Sequence, residues 1–237
     1  MLFSNAITNR KDWWDGMKDL AVFLFDKTGV MAQPWVESGH MALIVDIQHP
    51  EGLTTDDGVL FRLGCDLRNG FDLSAVRGLP AYGKVAFAFA FPPCDHLAVS
   101  GARWFKGKGL RKLALSIDLF ATAAEFCEST GASYGIENPV STISTYWRSP
   151  DHYFHPHHFT RYCSDDNYTK KTCLWVGGGF VMPEEARDTS LGEPDDRIHK
   201  CPPSDERANI RSATPLGFAK AVHAANYKQA FEYESLF

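Results

Sequence analysis

Short apolar runs recur along the chain, separated by turns and amphipathic stretches. Continuous apolar runs of this length are typical of strands buried on both faces of a parallel sheet. A long amphipathic helix is predicted over 110–130, and a closing helix over 215–226 because proline suits a first helical turn. The runs predict strands over 21–25, 41–46, 60–66, 85–91, 132–136 and 172–176.

The order of these elements predicts the fold class. A strand, a turn, a helical stretch over 30–37 and a second strand follow one another within 21–46, which is a βαβ unit. Continued alternation favours an α/β protein whose parallel sheet is covered on both faces. We expect a single domain over 1–237, with a cofactor-binding half (about 20–90) and a catalytic half (about 91–180). A charged, proline-rich loop is expected over 184–209, and a first helix near Trp13 and Trp14.

Chemically useful side chains lie at the ends of five of the predicted strands. They are Asp26, Asp46, Asp66, Cys94 and Glu137. Ligands of such sheets bind at the carboxyl ends of the strands, so these side chains predict a site there. Taken singly, each acid is equally compatible with a solvated strand end, and the cysteine with a structural thiol.

The turn after the first predicted strand limits the kind of cofactor. It reads Asp26-Lys27-Thr28-Gly29 and lacks G-x-G-x-x-G, which argues against a dinucleotide pyrophosphate. An acid that ends the second strand of a βαβ unit, as Asp46 does, is able to accept hydrogen bonds from ribose hydroxyls. Together these features favour a nucleoside cofactor without phosphate.

Composition limits the partners. The 237 residues are 44% hydrophobic and 22% charged, as in ordinary globular domains, and the net charge is -5. No overall positive field therefore attracts nucleic acid, and a nucleic-acid partner requires a local basic patch. The segment 103–112 provides one, although a solvated loop remains the alternative. Its five cations are Arg103, Lys106, Lys108, Arg111 and Lys112, with no acid among them.

Cysteine usage and the lack of targeting segments predict the compartment. None of the six cysteines forms C-x-x-C, and a chain of this size needs no disulfide staples. No signal peptide and no apolar stretch of about 20 residues are present. We therefore expect a cytoplasmic protein with free thiols and no membrane partner.

A histidine-rich segment over 151–158, with Cys163 nearby, raises the question of a metal. Zinc needs about four ligands at defined spacing, and only His199 and Cys201 offer distant partners. A loop near the active site is the favoured interpretation, and we predict no metal.

Two motifs together resemble those of the DNA cytosine-5 methyltransferase family. They are Phe91-Pro92-Pro93-Cys94 and Glu137-Asn138-Pro139, with Glu137 43 positions after Cys94. The resemblance covers about 20–226 and is closest to short, phage-type members, which implies action in a host cytoplasm. It implies a Rossmann-like methyltransferase fold, with S-adenosylmethionine as cofactor and a flipped cytosine in DNA as substrate.

The resemblance also implies residue roles. Cys94 adds to carbon 6 of cytosine, Glu137 contacts ring nitrogen 3, and the basic segment 103–112 closes over DNA phosphates. The family's Gln-x-Arg-x-Arg motif is absent as such, and either Lys171 in Lys170-Lys171-Thr172 or Arg148 stands in for it. The residues implied for cofactor binding are Phe25, Asp26, Thr28, Gly29, Asp46, Ile47, Asp66 and Pro92.

Departures from the family leave alternatives open. The cofactor turn is poor in glycine, and no separate target-recognition domain fits between 172 and the closing helix. A very short site, loose specificity or a partner protein that provides specificity would each account for this. The same chemistry on a free cytosine nucleotide or RNA, and a degenerate fold that only binds nucleic acid or cofactor, remain alternatives.

Overall fold

The computed structural model describes residues 18–204 and 207–232, so the helix predicted near Trp13 and Trp14 lies outside the described residues. The strands are β1 (Leu20–Leu24), β2 (Met41–Thr55), β3 (Leu60–Gly64), β4 (Val85–Ala90), β5 (Ser133–Pro139), β6 (His152–Phe154) and β7 (Thr172–Gly177). The helices are α1 (Gln33–Glu37), α2 (Phe105–Lys108), α3 (Leu110–Ser129), α4 (Ile143–Tyr146), α5 (Arg197–Lys200), α6 (Arg207–Ser212) and α7 (Leu216–Glu232).

The central strands are buried on both faces, which explains their continuous apolar sequences. Along β1, Leu20, Val22 and Leu24 join a core on one face, while Ala21 and Phe23 join a core on the other. Helix α3 packs in the first core, and α1 and α7 pack in the second. Because helices cover both faces of the sheet, the central strands are accessible only at their ends.

The sheet order is β3-β2-β1-β4-β5-β7-β6. Strand β1 pairs in parallel with both β2 and β4, and β4 pairs in parallel with β5, whereas β7 runs antiparallel between β5 and β6. The order 3-2-1-4-5 is that of doubly wound sheets, whose switch point lies between β1 and β4. This mostly parallel sheet, with helices on both faces, confirms the predicted α/β, Rossmann-like fold class.

Several elements differ from the sequence-based expectation. Strand β2 is longer than predicted and folds back along β3, so that Leu53 lies opposite Leu63 and Thr55 opposite Phe61. The histidine-rich segment, expected as a loop, forms the edge strand β6 and a 3-10 turn. The segment 184–209, also expected as a loop, contains α5 and the start of α6. Across the described residues, no helix has the length and apolar character needed to cross a membrane.

Candidate active site

The turn after β1 directs a buried acid toward the switch point of the sheet. Phe25 adopts a φ of 58°, which turns the chain so that Asp26 is only 3% exposed. Asp26 Oδ1 accepts hydrogen bonds from the amide of Gly29 (2.8 Å) and from the amide and hydroxyl of Thr28 (2.9 and 3.1 Å). Asp26 Oδ2 is buried and accepts no hydrogen bond from the described residues. Burial raises the pKa of Asp26 and outweighs the hydrogen bonds that lower it.

A cleft opens between this turn and the end of the parallel part of β2. Asp46 is buried and accepts a hydrogen bond from the Gln48 amide at 2.7 Å, and the adjoining Ile47 side chain is 66% exposed. The cleft encloses about 70 Å³. One wall is formed by Asp26, Lys27, Thr28, Asp46, Gln48 and Phe91, and the other by Asn209, Ser212, Ala213 and Thr214.

Sequence reasoning missed this second wall. Residues 209–214 lie more than 160 positions from Asp46, just where the predicted loop ends. Helix α6 carries the first part of the wall, and its bond from the Ala213 amide to the Asn209 carbonyl (3.0 Å) continues the turn. No local pattern indicated that this segment returns to the switch point.

Hydrogen bonds hold the two predicted catalytic motifs together. Asn138 is 1% exposed, and its Nδ2 donates to the Pro92 carbonyl oxygen at 2.9 Å. Beyond the motifs, the Val99 amide donates to the Val140 carbonyl, and a matching bond runs from Thr142 to Leu97, both at 2.9 Å. The segment after β4 is therefore fixed against the end of β5, and Cys94 and Glu137 face a common region.

The environment of this pair disfavours charge. Burial raises the pKa of the Cys94 thiol to about 11, with further raising by the nearby Glu137 and Asp95 carboxylates. Burial also raises the pKa of Glu137, whose Oε1 has no hydrogen-bond partner among the described residues. Burial thus disfavours the charged forms of both groups.

Of the two neighbouring lysines, the structure brings Lys170 to this pair. Lys170 Nζ lies 3.8 Å from Glu137 Oε1, and its charge lowers the pKa of both Glu137 and Cys94. The ammonium of Lys171 instead lies 5.0 Å from the centre of the Tyr153 ring. Successive residues entering β7 point to opposite faces, which separates the two lysines.

Arg148 has structural contacts away from Cys94. Its Nη1 donates to Asp151 Oδ2 at 2.6 Å, and its Nη2 donates to the Val176 carbonyl at 3.2 Å. Its guanidinium also lies 4.6 Å from the centre of the Trp147 ring. Val176 pairs with Gly135, so Arg148 contacts β7 at the level of the middle of β5.

Asp66 differs from the other strand-end acids. It is exposed and forms an ion pair with Arg68, and the hydrogen bonds of that pair lower its pKa. Among the described residues that line the cleft, Asp66 does not appear. It lies beyond β2, on the outer side of the sheet.

The basic segment lies directly beside the cysteine loop. Lys108 Nζ donates to the Asp95 carbonyl oxygen, which fixes the segment next to Cys94. Trp104 is 61% exposed, with the Arg103 guanidinium 5.1 Å from its ring centre. Arg111 and Lys112 are exposed in the first turn of α3, where the helix dipole disfavours cations.

A second cavity of about 350 Å³ lies beside the basic segment. It is lined by His96, Phe105, Lys106, Lys108, Gly109, Leu110 and Leu113.

The histidine-rich segment packs its rings against one another. The rings of His155 and His157 lie 5.2 Å apart, those of His157 and His158 lie 4.6 Å apart, and His158 Nδ1 lies 2.7 Å from Glu185 Oε1. Burial, with the neighbouring histidines, lowers the pKa of His155 to about 4. In the part of the chain that the structure describes, no group of three or more His, Cys, Asp or Glu side chains is arranged to hold a metal ion.

No family model matches the chain, and no curated protein matches it. Among solved structures, one similar chain is a provisionally assigned DNA modification methyltransferase encoded within an E. coli prophage. The two are 10% identical over 68% of this chain, with a TM-score of 0.42, and the match spans 46% of that protein. The fold class therefore stands on the strand order and burial of this chain's own sheet.

Proposed function

We propose that the protein transfers a methyl group from S-adenosylmethionine to carbon 5 of cytosine in DNA, through a covalent adduct with Cys94. The hydrogen bond from Asn138 Nδ2 to the Pro92 carbonyl carries this proposal. It joins a cysteine loop and a Glu-Asn-Pro motif that lie about 40 residues apart, at the carboxyl ends of adjoining strands. A nucleophile and a proton donor then face one substrate region.

The polar groups that line the switch-point cleft match the nucleoside part of the proposed cofactor. The unpartnered Asp26 Oδ2 is an acceptor for an ammonium or hydroxyl group, and Asp46 is an acceptor for ribose hydroxyls. Phe91 and the exposed Ile47 provide apolar surface for a flat ring. When bound, S-adenosylmethionine supplies an electrophilic methyl group.

The chain's own residues would prepare the cytosine ring. The Cys94 thiolate forms a bond to carbon 6, which makes carbon 5 nucleophilic. Glu137 in its protonated form, which burial favours, donates to ring nitrogen 3 and stabilises the charge that develops on the ring. After methylation a base removes the carbon 5 proton, and the bond from carbon 6 to Cys94 Sγ breaks to restore the aromatic ring and the thiolate.

The basic segment supports a polymeric substrate. Five cations within 103–112 exceed what a single phosphate requires, and the amino terminus of α3 has no side-chain cap over its amides. The exposed Trp104, supported by Arg103, offers a face on which a base stacks. These features favour DNA over a free nucleotide. Sequence preference would come from a very short site or from a partner protein.

Covalent trapping tests the proposal. The protein is incubated with S-adenosylmethionine and duplex DNA that contains 5-fluorocytosine, then run on a denaturing gel. Fluorine does not leave as a proton, so the adduct persists. We expect an adduct that requires both cofactor and Cys94, and that is lost in Cys94→Ser but retained in Cys201→Ser.

Other results separate the alternatives. If the adduct forms only with RNA or with a cytosine nucleotide, the covalent mechanism is supported and the proposal that DNA is the substrate is wrong. Cofactor binding without an adduct on any of the three substrates overturns the covalent mechanism. Failure to bind cofactor indicates a fold that has lost catalysis.

A further inference from the structure

We infer that Lys170 is a positioning residue that couples opening of the switch-point cleft to the reactivity of the Cys94 thiol. The inference rests on the proposed function, because the cleft is taken as the cofactor site. It adds a link between the two halves of that site, since Lys170 contacts Glu137 in one half and Ala213 in the other.

Lys170 is a largely buried cation with incomplete partners. Its side chain is 12% exposed, and its ammonium lies 3.8 Å from Glu137 Oε1 and 3.5 Å from the Ala213 carbonyl oxygen. An ammonium has three donors, and both distances are long for a charge removed from water. Glu137 Oε1, for its part, has no hydrogen-bond partner among the described residues. Small shifts of the segment that holds Ala213 therefore change which acceptor the ammonium approaches.

On one side, Lys170 acts on the thiol. The charged groups around Cys94 are Glu137 and Asp95, which raise its pKa, and Lys170, which lowers it. Removal of the ammonium leaves the two carboxyl groups and burial unopposed. The thiolate fraction at neutral pH then falls.

On the other side, Lys170 holds the wall of the cleft. Ala213 lies in the wall opposite Asp26 and Asp46, and the cleft encloses only about 70 Å³. Pockets that bury a small-molecule ligand usually exceed about 300 Å³. In this proposal, binding of a nucleoside moves the wall 209–214 outward, which draws the Ala213 carbonyl away from Lys170. The released ammonium is then free to approach Glu137 and Cys94.

Cleft opening and thiolate formation both depend on Lys170, so its removal should change ligand affinity and thiol reactivity in opposite directions. Because the hydrogen bond to Ala213 opposes opening, its removal favours ligand binding, whereas removal of the cation disfavours the thiolate. Lys170→Met should therefore bind S-adenosylhomocysteine about threefold more tightly. The same variant should alkylate Cys94 about tenfold more slowly. General damage to the fold would weaken both properties.

The experiment measures both properties on the full chain. Iodoacetamide labelling at pH 8, followed by mass spectrometry of the Cys94 peptide, gives the thiol reactivity. Calorimetry with S-adenosylhomocysteine, which carries no sulfonium charge, gives the affinity. Lys170→Gln is a second neutral variant, Lys170→Arg should restore the labelling rate, and Lys171→Met is the control for removal of a neighbouring lysine.

Opposite changes in affinity and labelling, in the neutral Lys170 variants alone, support the inference. Unchanged labelling, or the same decrease in Lys171→Met, overturns it. Parallel weakening of both properties also overturns it, because that result indicates a structural role. If the unmodified protein binds no S-adenosylhomocysteine, the proposed function fails, while the labelling rates still decide whether Lys170 acts on Cys94.

Discussion

Two adjoining regions of the molecule differ in how they hold their charged groups. In the corner of Cys94, Glu137 and Lys170, side chains are largely buried, and backbone and amide hydrogen bonds fix the loops that carry them. In the basic segment 103–112, the cations and Trp104 are mainly exposed and have few partners. The first region holds groups whose pKa values are shifted by burial, and the second exposes cations to solvent.

Under the proposed function, this difference predicts that catalysis and DNA binding are separable by substitution. Buried groups with raised pKa values respond to a ligand that enters the corner. Exposed cations contribute mainly through counterion release, which depends on salt and hardly on the detailed position of each side chain. Substitutions in the two regions should therefore have different signatures.

The largest effect is expected from Cys94→Ser. A hydroxyl is a far weaker nucleophile toward carbon 6, so methyl transfer to duplex DNA should fall more than about 1,000-fold. Affinities for DNA and for S-adenosylhomocysteine should stay within about twofold, since the exposed segment and the cleft are unaltered. Activity is measured by transfer of labelled methyl groups, and binding by anisotropy and calorimetry. Substantial residual activity would refute the covalent route.

The reverse signature is expected when the basic segment is neutralised. The combined change Lys106→Gln, Arg111→Gln and Lys112→Gln should weaken DNA binding by about 10- to 100-fold at low salt. The slope of log affinity against log salt should fall by about one for each phosphate that is no longer neutralised. S-adenosylhomocysteine affinity and Cys94 labelling should be unaffected. An unchanged salt slope would place the DNA surface elsewhere.

The pH dependence distinguishes the corner from the exposed segment. Because the pKa of Cys94 is raised to about 11, the thiolate fraction grows about tenfold for each pH unit below that value. Single-turnover methylation should rise with pH and then flatten or fall once Glu137, whose pKa is also raised, loses its proton. Glu137→Gln should remove that decline and lower the rate. A rate independent of pH between about 6 and 8 would contradict this assignment.

The smallest expected effect is a difference in cofactor-analogue affinity between substitutions of two strand-end acids. Asp46 lines the cleft, whereas Asp66 is exposed and paired with Arg68. We expect Asp46→Asn to weaken S-adenosylhomocysteine binding about tenfold. Asp66→Asn should change it less than about twofold, because the ion pair that it breaks is a surface one. Calorimetry on both variants checks the difference, and equal weakening would bring Asp66 into the site.

The sequence predicted the elements whose burial is complete. Strands β1, β4 and β7 have apolar side chains on both faces, and a short continuous run of such residues is typical of a central strand. The polar extension of β2 and the three-residue β6 lack this signal, because each lies at an edge of the sheet. Their strand conformation depends on pairing with a neighbouring strand, which the local sequence does not reveal.

The placement of the candidate residues was predictable where a motif lies at a strand end. Cys94 and Glu137 fall into this group. The choice between Lys170 and Lys171 was not predictable, because it depends on which of two successive residues faces Glu137. The contribution of the wall 209–214 was also not predictable. Only the tertiary packing of α7 against the sheet brings that segment back to β1.

The fold-back of β2 has a consequence for the solubility of the sheet. Segment 53–55 covers the outer side of β3, and Gly64 fits there because a Cβ would lie 2.1 Å from the Pro50 carbonyl oxygen. The exposed edge is thus a short arm of Thr54 and Thr55 followed by two aspartates, instead of the apolar strand β3. Such an arm offers little for strands of other molecules to pair with, so aggregation through this edge is disfavoured.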